Sequence, residues 1–362
     1  MPSPSDEHSS EPRAGWKDLL NVKASATLSR AALPPNLLPA RRVPVPATAR
    51  TVVDCYDFLD RVFPACGLDD LTEGIYGGDP QVDYEQAQRN QHNYLLDQAG
   101  CGPGSRLLDI GCGNGSLLAR AQQRGAHATG ITISPRQVAR CRDRALEAHL
   151  LDYRNLGDDW WHQFDAIIAN GSVEHFVQPA ETAAGRADEI YAEMFALCHR
   201  LLDPASSRRR FVTTTIHFDW FVSDPRDLMR SPFAFPWRSD HFHAALLERA
   251  FGGFYPVAGQ LERCARPFFE LVREKDGTED YRLTSEVWLA RIRRGMFSFR
   301  PGLRMWADLA PYLVRHPGRG LLSLWLVHTQ SWQWQFRGPH PPMRLLRQTW
   351  QARRLGSAPA TT

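Results

Sequence analysis

Leu107-Leu108-Asp109-Ile110-Gly111-Cys112-Gly113-Asn114-Gly115 is the stretch whose reading decides the fold. Residues 106–110 form a short, mainly apolar run with one acid near its end, the pattern of a buried strand. Residues 116–123 continue with helical character. Between them, glycines at 111, 113 and 115 form a turn where no Cβ keeps a ligand off the backbone. The helix that follows aims free N–H groups and a partial positive charge at whatever lies there.

Two ligand classes use such a turn. A dinucleotide needs G-x-G-x-x-G and an acid about 20 residues on for its ribose. Here the spacing is Gly111-x-Gly113-x-Gly115, and the second strand ends in Gly130-Ile131-Thr132-Ile133-Ser134, with no acid at its tip. The other class is S-adenosylmethionine. It carries no phosphate, so the glycines allow close approach of its amino-acid portion and ribose, and Asp109 helps to place a cationic ligand.

Around this turn the chain alternates. Strand 106–110 leads to helix 115–124, strand 127–132 to helix 135–146, with Ser134 as N-cap and Pro135 at the first helical position. A short strand near 148–151 ends at Asp152. Strand 164–170 ends at Gly171, and helix 180–202 leads to strand 211–217. This alternation predicts an α/β fold: a Rossmann-like, doubly wound, mostly parallel sheet with ligands at the C-terminal strand ends. Residues 218–257, rich in aromatics, His and Pro, break the pattern and read as a lid insertion. Runs 268–274 and 279–284 flank Lys275-Asp276-Gly277, a hairpin signal that would complete the sheet.

The expected organisation is a Pro-rich flexible tail over 1–48 with a short helix over 16–22, a helical and loop cap over 49–100, the main domain over 101–300, and a basic, Trp-rich extension over 301–362. Additions at both ends are expected to be mainly helical. The 362 residues are 43% hydrophobic and 23% charged, an ordinary globular composition with a net charge of +3. The seven cysteines are scattered and never in C-x-x-C, which indicates neither a disulfide framework nor a zinc site. No metal is expected. The N-terminus lacks a signal-peptide core and no apolar run is long enough to span a bilayer, so a cytoplasmic protein is expected.

On these motifs the chain resembles class I S-adenosylmethionine-dependent methyltransferases of the cyclopropane-fatty-acid synthase and mycolic-acid methyltransferase family. The resemblance covers about residues 51–300. It rests on 108–115, on Gly130-Ile131-Thr132-Ile133-Ser134-Pro135-Arg136-Gln137, on Asp152-Tyr153-Arg154, and on Phe164-Asp165 through Glu174-His175-Phe176. That family replaces the ribose acid with Thr-x-Ser-x-x-Gln, which Thr132, Ser134 and Gln137 match. The resemblance implies that Gly111 and Gly113 approach the methionine moiety, that Thr132, Ile133 and Gln137 line the ribose side, and that Asp152 faces the adenine amino group. It places Asn170 near the sulfonium, and it suggests Tyr76 as the residue of an aromatic loop that closes over the donor. Cyclopropanating members also hold bicarbonate with a loop Cys, a Glu, a His and a Tyr. Here Glu174 is present, but the other positions fall on Gly74, on or near Thr214, and on or near Phe242. With one of four side chains left, cyclopropane formation is not expected.

Methyl transfer asks the protein to position an acceptor and to remove its proton if it has one. Glu174 is the first candidate for polarising or deprotonating it; anchoring the following helix is the competing role. His175 and His217 are further candidates, with packing roles as their alternatives. The expected acceptor is lipid-like or another hydrophobic small molecule, with methylene transfer to an alkene and a non-catalytic donor-binding protein as the other readings. The tail interleaves Trp306, Trp325, Trp332, Trp334 and Trp350 with arginines, and Asp308 is its only acid after Arg291. Interfacial membrane segments share this composition. A helical cap with a solvated arginine face is the plain alternative, and a nucleic-acid partner is disfavoured.

Overall fold

The computed structural model describes residues 50–354. The tail over 1–48 and its helix over 16–22 lie outside the described residues. In chain order the helices are α1 (Arg50–Val62), α2 (Tyr84–Ala99), α3 (Ser116–Gln123), α4 (Pro135–Asp143), α5 (Pro179–Ala183), α6 (Ala187–Leu201), α7 (Pro225–Leu228), α8 (Asp240–Phe251), α9 (Gln260–Ala265), α10 (Thr278–Met296), α11 (Arg300–Arg315), α12 (Pro317–His328) and α13 (Ser331–Trp334). The strands are β1 (Arg106–Ile110), β2 (His127–Thr132), β3 (Glu147–Leu150), β4 (Ala166–Asn170), β5 (Arg210–Phe218), β6 (Phe269–Asp276) and β7 (Met343–Ala352).

The strands form one sheet in the order β3-β2-β1-β4-β5-β7-β6. The first five pair in parallel, and β7 runs antiparallel between β5 and β6. The doubly wound, mostly parallel α/β sheet is therefore as the alternation predicts. β1 and β4 are buried nearly throughout, as strands covered on both faces must be. Order reverses between β1 and β4, the switch point where ligands bind in such sheets.

The expected hairpin over 268–284 is not there. β6 ends at Asp276, whose Oδ1 accepts from Thr278 N at 2.8 Å, and Glu279 and Asp280 sit in the first turn of α10. That chemistry starts a helix. The partner of β6 comes instead from the far C-terminus: β7, reached only after four helices. The long helix expected over 180–202 is also divided, with Gly185 at φ +75° between α5 and α6.

Two of the apolar cores lie on the sheet, one around α6 with β4, β5 and β7 and one around α2 and α3. A third is separate. It gathers Phe58, Leu59 and Val62 of α1, Phe242 and Leu246 of α8, Trp288 and Ile292 of α10, and Met305, Leu309, Leu326 and Trp332 beyond it. N-terminal, lid and C-terminal helices thus share one core, and this helical cap stands over the strand tips.

A cavity joining the strand tips to an aromatic chamber

One cavity opens between the sheet and the cap. Asp109, Gly111, Gly113, Thr132, Ile133, Gln137, Asp152, Asn170, Glu174 and His175 all line it. These are eight of the nine expected donor residues and two of the three expected catalytic ones, drawn together from the tips of four parallel strands.

The turn after β1 is built as its glycines predict. Gly111, Gly113 and Gly115 all have positive φ. An added Cβ at Gly111 would strike Ser172 at 2.8 Å, whereas at Gly113 it would meet nothing within 4 Å. Gly111 serves packing as well as approach; Gly113 leaves open space over bare backbone. At the tip of β2, Thr132 Oγ1 donates to Gln137 Oε1 at 2.6 Å, which leaves the Gln137 Nε2 donor buried without a partner among the described residues. A buried donor without an acceptor is costly, and a ligand hydroxyl would satisfy it. Ser134 caps α4 and donates to Asp60 Oδ2 at 3.2 Å, fixing α1 against this tip. Burial pushes the Asp60 carboxyl up to about 6. Asp152 caps the following turn and grips Arg154, with Oδ2 accepting at 2.8 Å. These features fit S-adenosylmethionine: a cradle without Cβ, an orphan amide donor on the sugar side, and no acid at the β2 tip.

Beyond the strand tips the lining turns aromatic. Tyr56, Phe251, Tyr255, Tyr281, Trp288 and Trp332 continue the same cavity. Glu174 sits at the junction, 4% exposed, with Oε2 lacking any hydrogen bond among the described residues. Burial pushes its carboxyl up to about 8, and nearby Glu73 adds to the shift. Burial does the same to Asp109. The His175 ring is held between Gly252 O, 3.0 Å from Nδ1, and the Tyr56 hydroxyl, 3.3 Å from Nε2. Burial lowers it to about 4, so it is neutral with Nδ1–H donating to the carbonyl. It ties the residue after Glu174 to the end of α8. Gly253 packs so closely on the Glu174 carbonyl that no Cβ fits.

Two expected residues are elsewhere. His217 does not line the cavity. Ile216 does, and successive strand residues face opposite ways, so His217 points to the far side of the sheet, buried, with its ring pushed down to about 4 by that burial. Tyr76 is buried outside the cavity, its backbone N–H donating to Asp280 Oδ1 at 2.8 Å; the cavity face of its loop belongs to Asp70, Leu71, Thr72 and Glu73. Most of the lid likewise packs in the cap: His243 bonds Ser331 Oγ at 2.8 Å, and from 218–257 only Phe251 and Tyr255 reach the cavity. Phe242 is in the cap core, so the phenols lining the cavity are Tyr153 on the donor side and Tyr56, Tyr255 and Tyr281 in the chamber. Tyr281 and Trp288 stand seven residues apart on α10, one helical face, a spacing hidden when that segment is read as a strand.

The burial of Glu174 and Asp109 sets a pH dependence. Their folded values near 8 exceed the ordinary carboxylate range, so folding favours the protonated forms. That contribution is complete at acid pH and is lost as pH climbs through about 8. His175, shifted the other way, acts only below its ordinary 6.5. The thermal unfolding midpoint of the ligand-free protein should therefore fall between pH 7 and pH 9, less steeply in Glu174→Gln. A flat or rising profile there contradicts these burials.

The family model described as mycolic acid cyclopropane synthetase matches residues 47–294. Cyclopropane mycolic acid synthase 2 of Mycobacterium leprae (strain TN) is 34% identical over 226 residues, 59% of this chain and 69% of that protein. Cyclopropane mycolic acid synthase MmaA2 of Mycobacterium tuberculosis (strain ATCC 25618 / H37Rv) is 32% identical over 215 residues, 58% of this chain and 69% of that protein. In fold, the chain is similar to mycolic acid cyclopropane synthase CmaA1 complexed with SAH and CTAB, with a TM-score of 0.60 at 19% identity, covering 84% of this chain and 98% of that one. Coclaurine N-methyltransferase matches with a TM-score of 0.60 at 16% identity, covering 82% and 78%. The protein is an S-adenosylmethionine-dependent methyltransferase, and it belongs to the mycolic acid cyclopropane synthetase family.

Proposed function

We propose that the protein transfers a methyl group to a lipid-like acceptor whose apolar portion lies in the aromatic chamber. The observation that carries this is the continuity of the cavity: the donor residues and the chamber share one space, with Glu174 where they meet. Gly111 and Gly113 take the methionine moiety, Thr132, Ile133 and Gln137 the ribose, Asp152 the adenine, and Asn170 and Asp109 the region of the cationic centre. S-adenosylmethionine supplies an electrophilic methyl group. Protonated at neutral pH, Glu174 polarises the acceptor by donating a hydrogen bond; ionised, it deprotonates it. The phenols of Tyr56 and Tyr255 sit nearby, the latter donating to Gln335 Oε1 at 3.2 Å. Lipid profiling with labelled methyl donor tests the reading: label should appear in a lipid fraction with wild type. Label confined to water-soluble products overturns the acceptor assignment. The relatives' names carry cyclopropane formation, which adds the same carbon mass and is separated from methylation by following the double bond.

The acceptor class implies contact with a bilayer, and the cap carries a surface suited to it. Among the described residues, no helix is long and apolar enough to cross a membrane. On α12, Leu321, Trp325 and His328 share one exposed face. Trp325 packs edge-on to Phe233 and Trp237, and His328 to Phe297. Phe297 and Phe299 are 79% and 82% exposed. Exposed Arg294, Arg300 and Arg238 flank these aromatics in the chain and have no acidic partner among the described residues. Exposed apolar side chains with arginines close by in the chain suit an anionic lipid surface. Deleting everything after residue 300 would not test this, because it would also remove β7. Point variants do: Phe297→Ser, Phe299→Ser, Leu321→Ser and Trp325→Ser together should cut co-sedimentation with phosphatidylglycerol vesicles by about tenfold or more while donor binding stays unchanged. Equal sedimentation contradicts the proposed surface.

A further inference from the structure

The cavity contains a second buried carboxyl that none of the roles above uses. Glu73 lines it from the segment between α1 and α2 and is 5% exposed. Its Oε1 accepts a hydrogen bond from Gln91 Nε2 and lies 3.9 Å from Arg347 Nε. The same Gln91 nitrogen lies 3.3 Å from Asn170 Oδ1 and 3.3 Å from Thr214 Oγ1, so the carboxyl is tied to the tips of β4 and β5. Arg347, on β7 and fully buried, donates to Gln91 Oε1 at 2.7 Å, to Asp280 Oδ2 at 2.9 Å and to Gly74 O at 3.1 Å. An amide and a guanidinium therefore hold Oε1 from one side, leaving Oε2 as the oxygen available to a ligand.

Glu73 and Glu174 line one cavity, and a charge on Glu73 opposes the ionisation of Glu174. Two such carboxyls do not both ionise cheaply. The guanidinium of Arg347 stands beside Glu73 and lowers it against the upward push of burial, with Asp280 and Asp70 acting the other way. No cation opposes the rise of Glu174. Burial still raises Glu73 overall, but with the Arg347 guanidinium 3.9 Å from its Oε1 it is the better placed of the two to carry charge.

We infer that Glu73 is a second catalytic carboxylate of the methyl-transfer site, the group that takes the proton the acceptor gives up, and that Arg347 is the residue that positions it. This rests on the methyl-transfer reading. In the step, the acceptor's electron pair forms the bond to the methyl carbon, sulfur keeps the pair of the broken S–C bond, and the acceptor's proton passes to Glu73 Oε2, to be returned to solvent. Glu174, already protonated, donates a hydrogen bond to the acceptor and is unchanged at the end.

The test uses the full chain, labelled donor and vesicles of dioleoyl phosphatidylglycerol. Glu73→Gln should lower kcat by about 100-fold or more, the range of a lost general base, with KM for the donor raised by no more than about tenfold. Calorimetry on the same variant provides a reading that needs no acceptor. Loss of a nearby negative charge should reduce the preference for S-adenosylmethionine over neutral S-adenosylhomocysteine by about tenfold. Arg347→Lys should keep more kcat than Arg347→Met at equal folded fraction; equal kcat in the two overturns the positioning role. A Glu73→Gln protein with wild-type kcat overturns the catalytic role. If wild type leaves this lipid unlabelled, that result counts against the acceptor assignment, and the calorimetric preference alone then decides Glu73: a drop supports it, an unchanged preference overturns it.

Discussion

Gly113→Arg is expected to abolish donor binding, by about 100-fold or more, in a protein that still folds. The position faces open space, so the new side chain meets no packed neighbour and extends into the cradle. Its φ of +53° costs a non-glycine residue about 1–2 kcal/mol, which a domain of this size tolerates. Gly111→Arg is the contrasting variant. There a Cβ strikes Ser172, and φ is +85°, so stability and binding should fall together. Calorimetry with S-adenosylmethionine, read beside the thermal unfolding midpoint, separates the two. Near-wild-type affinity in Gly113→Arg would show that the donor does not lie against this backbone.

Arg347→Met should be among the most destabilising single changes in the chain. Removing one partner of a buried ionic cluster leaves its acids uncompensated and costs about 3–5 kcal/mol. Here the orphans are Asp280 and Glu73, together with the Gly74 carbonyl and the Gln91 amide. The loss should be smaller at pH 5 than at pH 8, because Glu73, raised by burial, takes up a proton more readily at the lower pH. Urea unfolding at the two pH values reads this directly. A loss below about 1 kcal/mol at pH 8 would mean that the cluster does not hold the cap to the sheet.

The donor half of this site is local in sequence, which is why it can be read there. Each of these residues comes from a strand tip a few residues from its glycine or cap, and β1 and β2 match the expected bounds. The acceptor half is assembled from afar. Arg347 meets residues 73, 91 and 280, and no spacing within one segment announces that meeting. β7 escaped notice for a related reason: Pro341-Pro342 and the surrounding arginines mark the tail as irregular, while its strand character depends on β5 and β6 flanking it. His217 failed on a single step of strand alternation, since its neighbour Ile216 took the cavity side. The family's lid phenol was sought at Phe242, whereas α10 brings Tyr281 to the chamber wall.

The proposed function requires a sulfonium nucleoside over the turn after β1, its sugar hydroxyls met by Thr132 and Gln137 rather than by an acid. Titration calorimetry of the full chain with S-adenosylmethionine and, separately, with NAD measures this most directly. Saturable heat with the first, abolished by Gly113→Arg, and none with the second is the expected result. Heat with NAD and none with S-adenosylmethionine would contradict it.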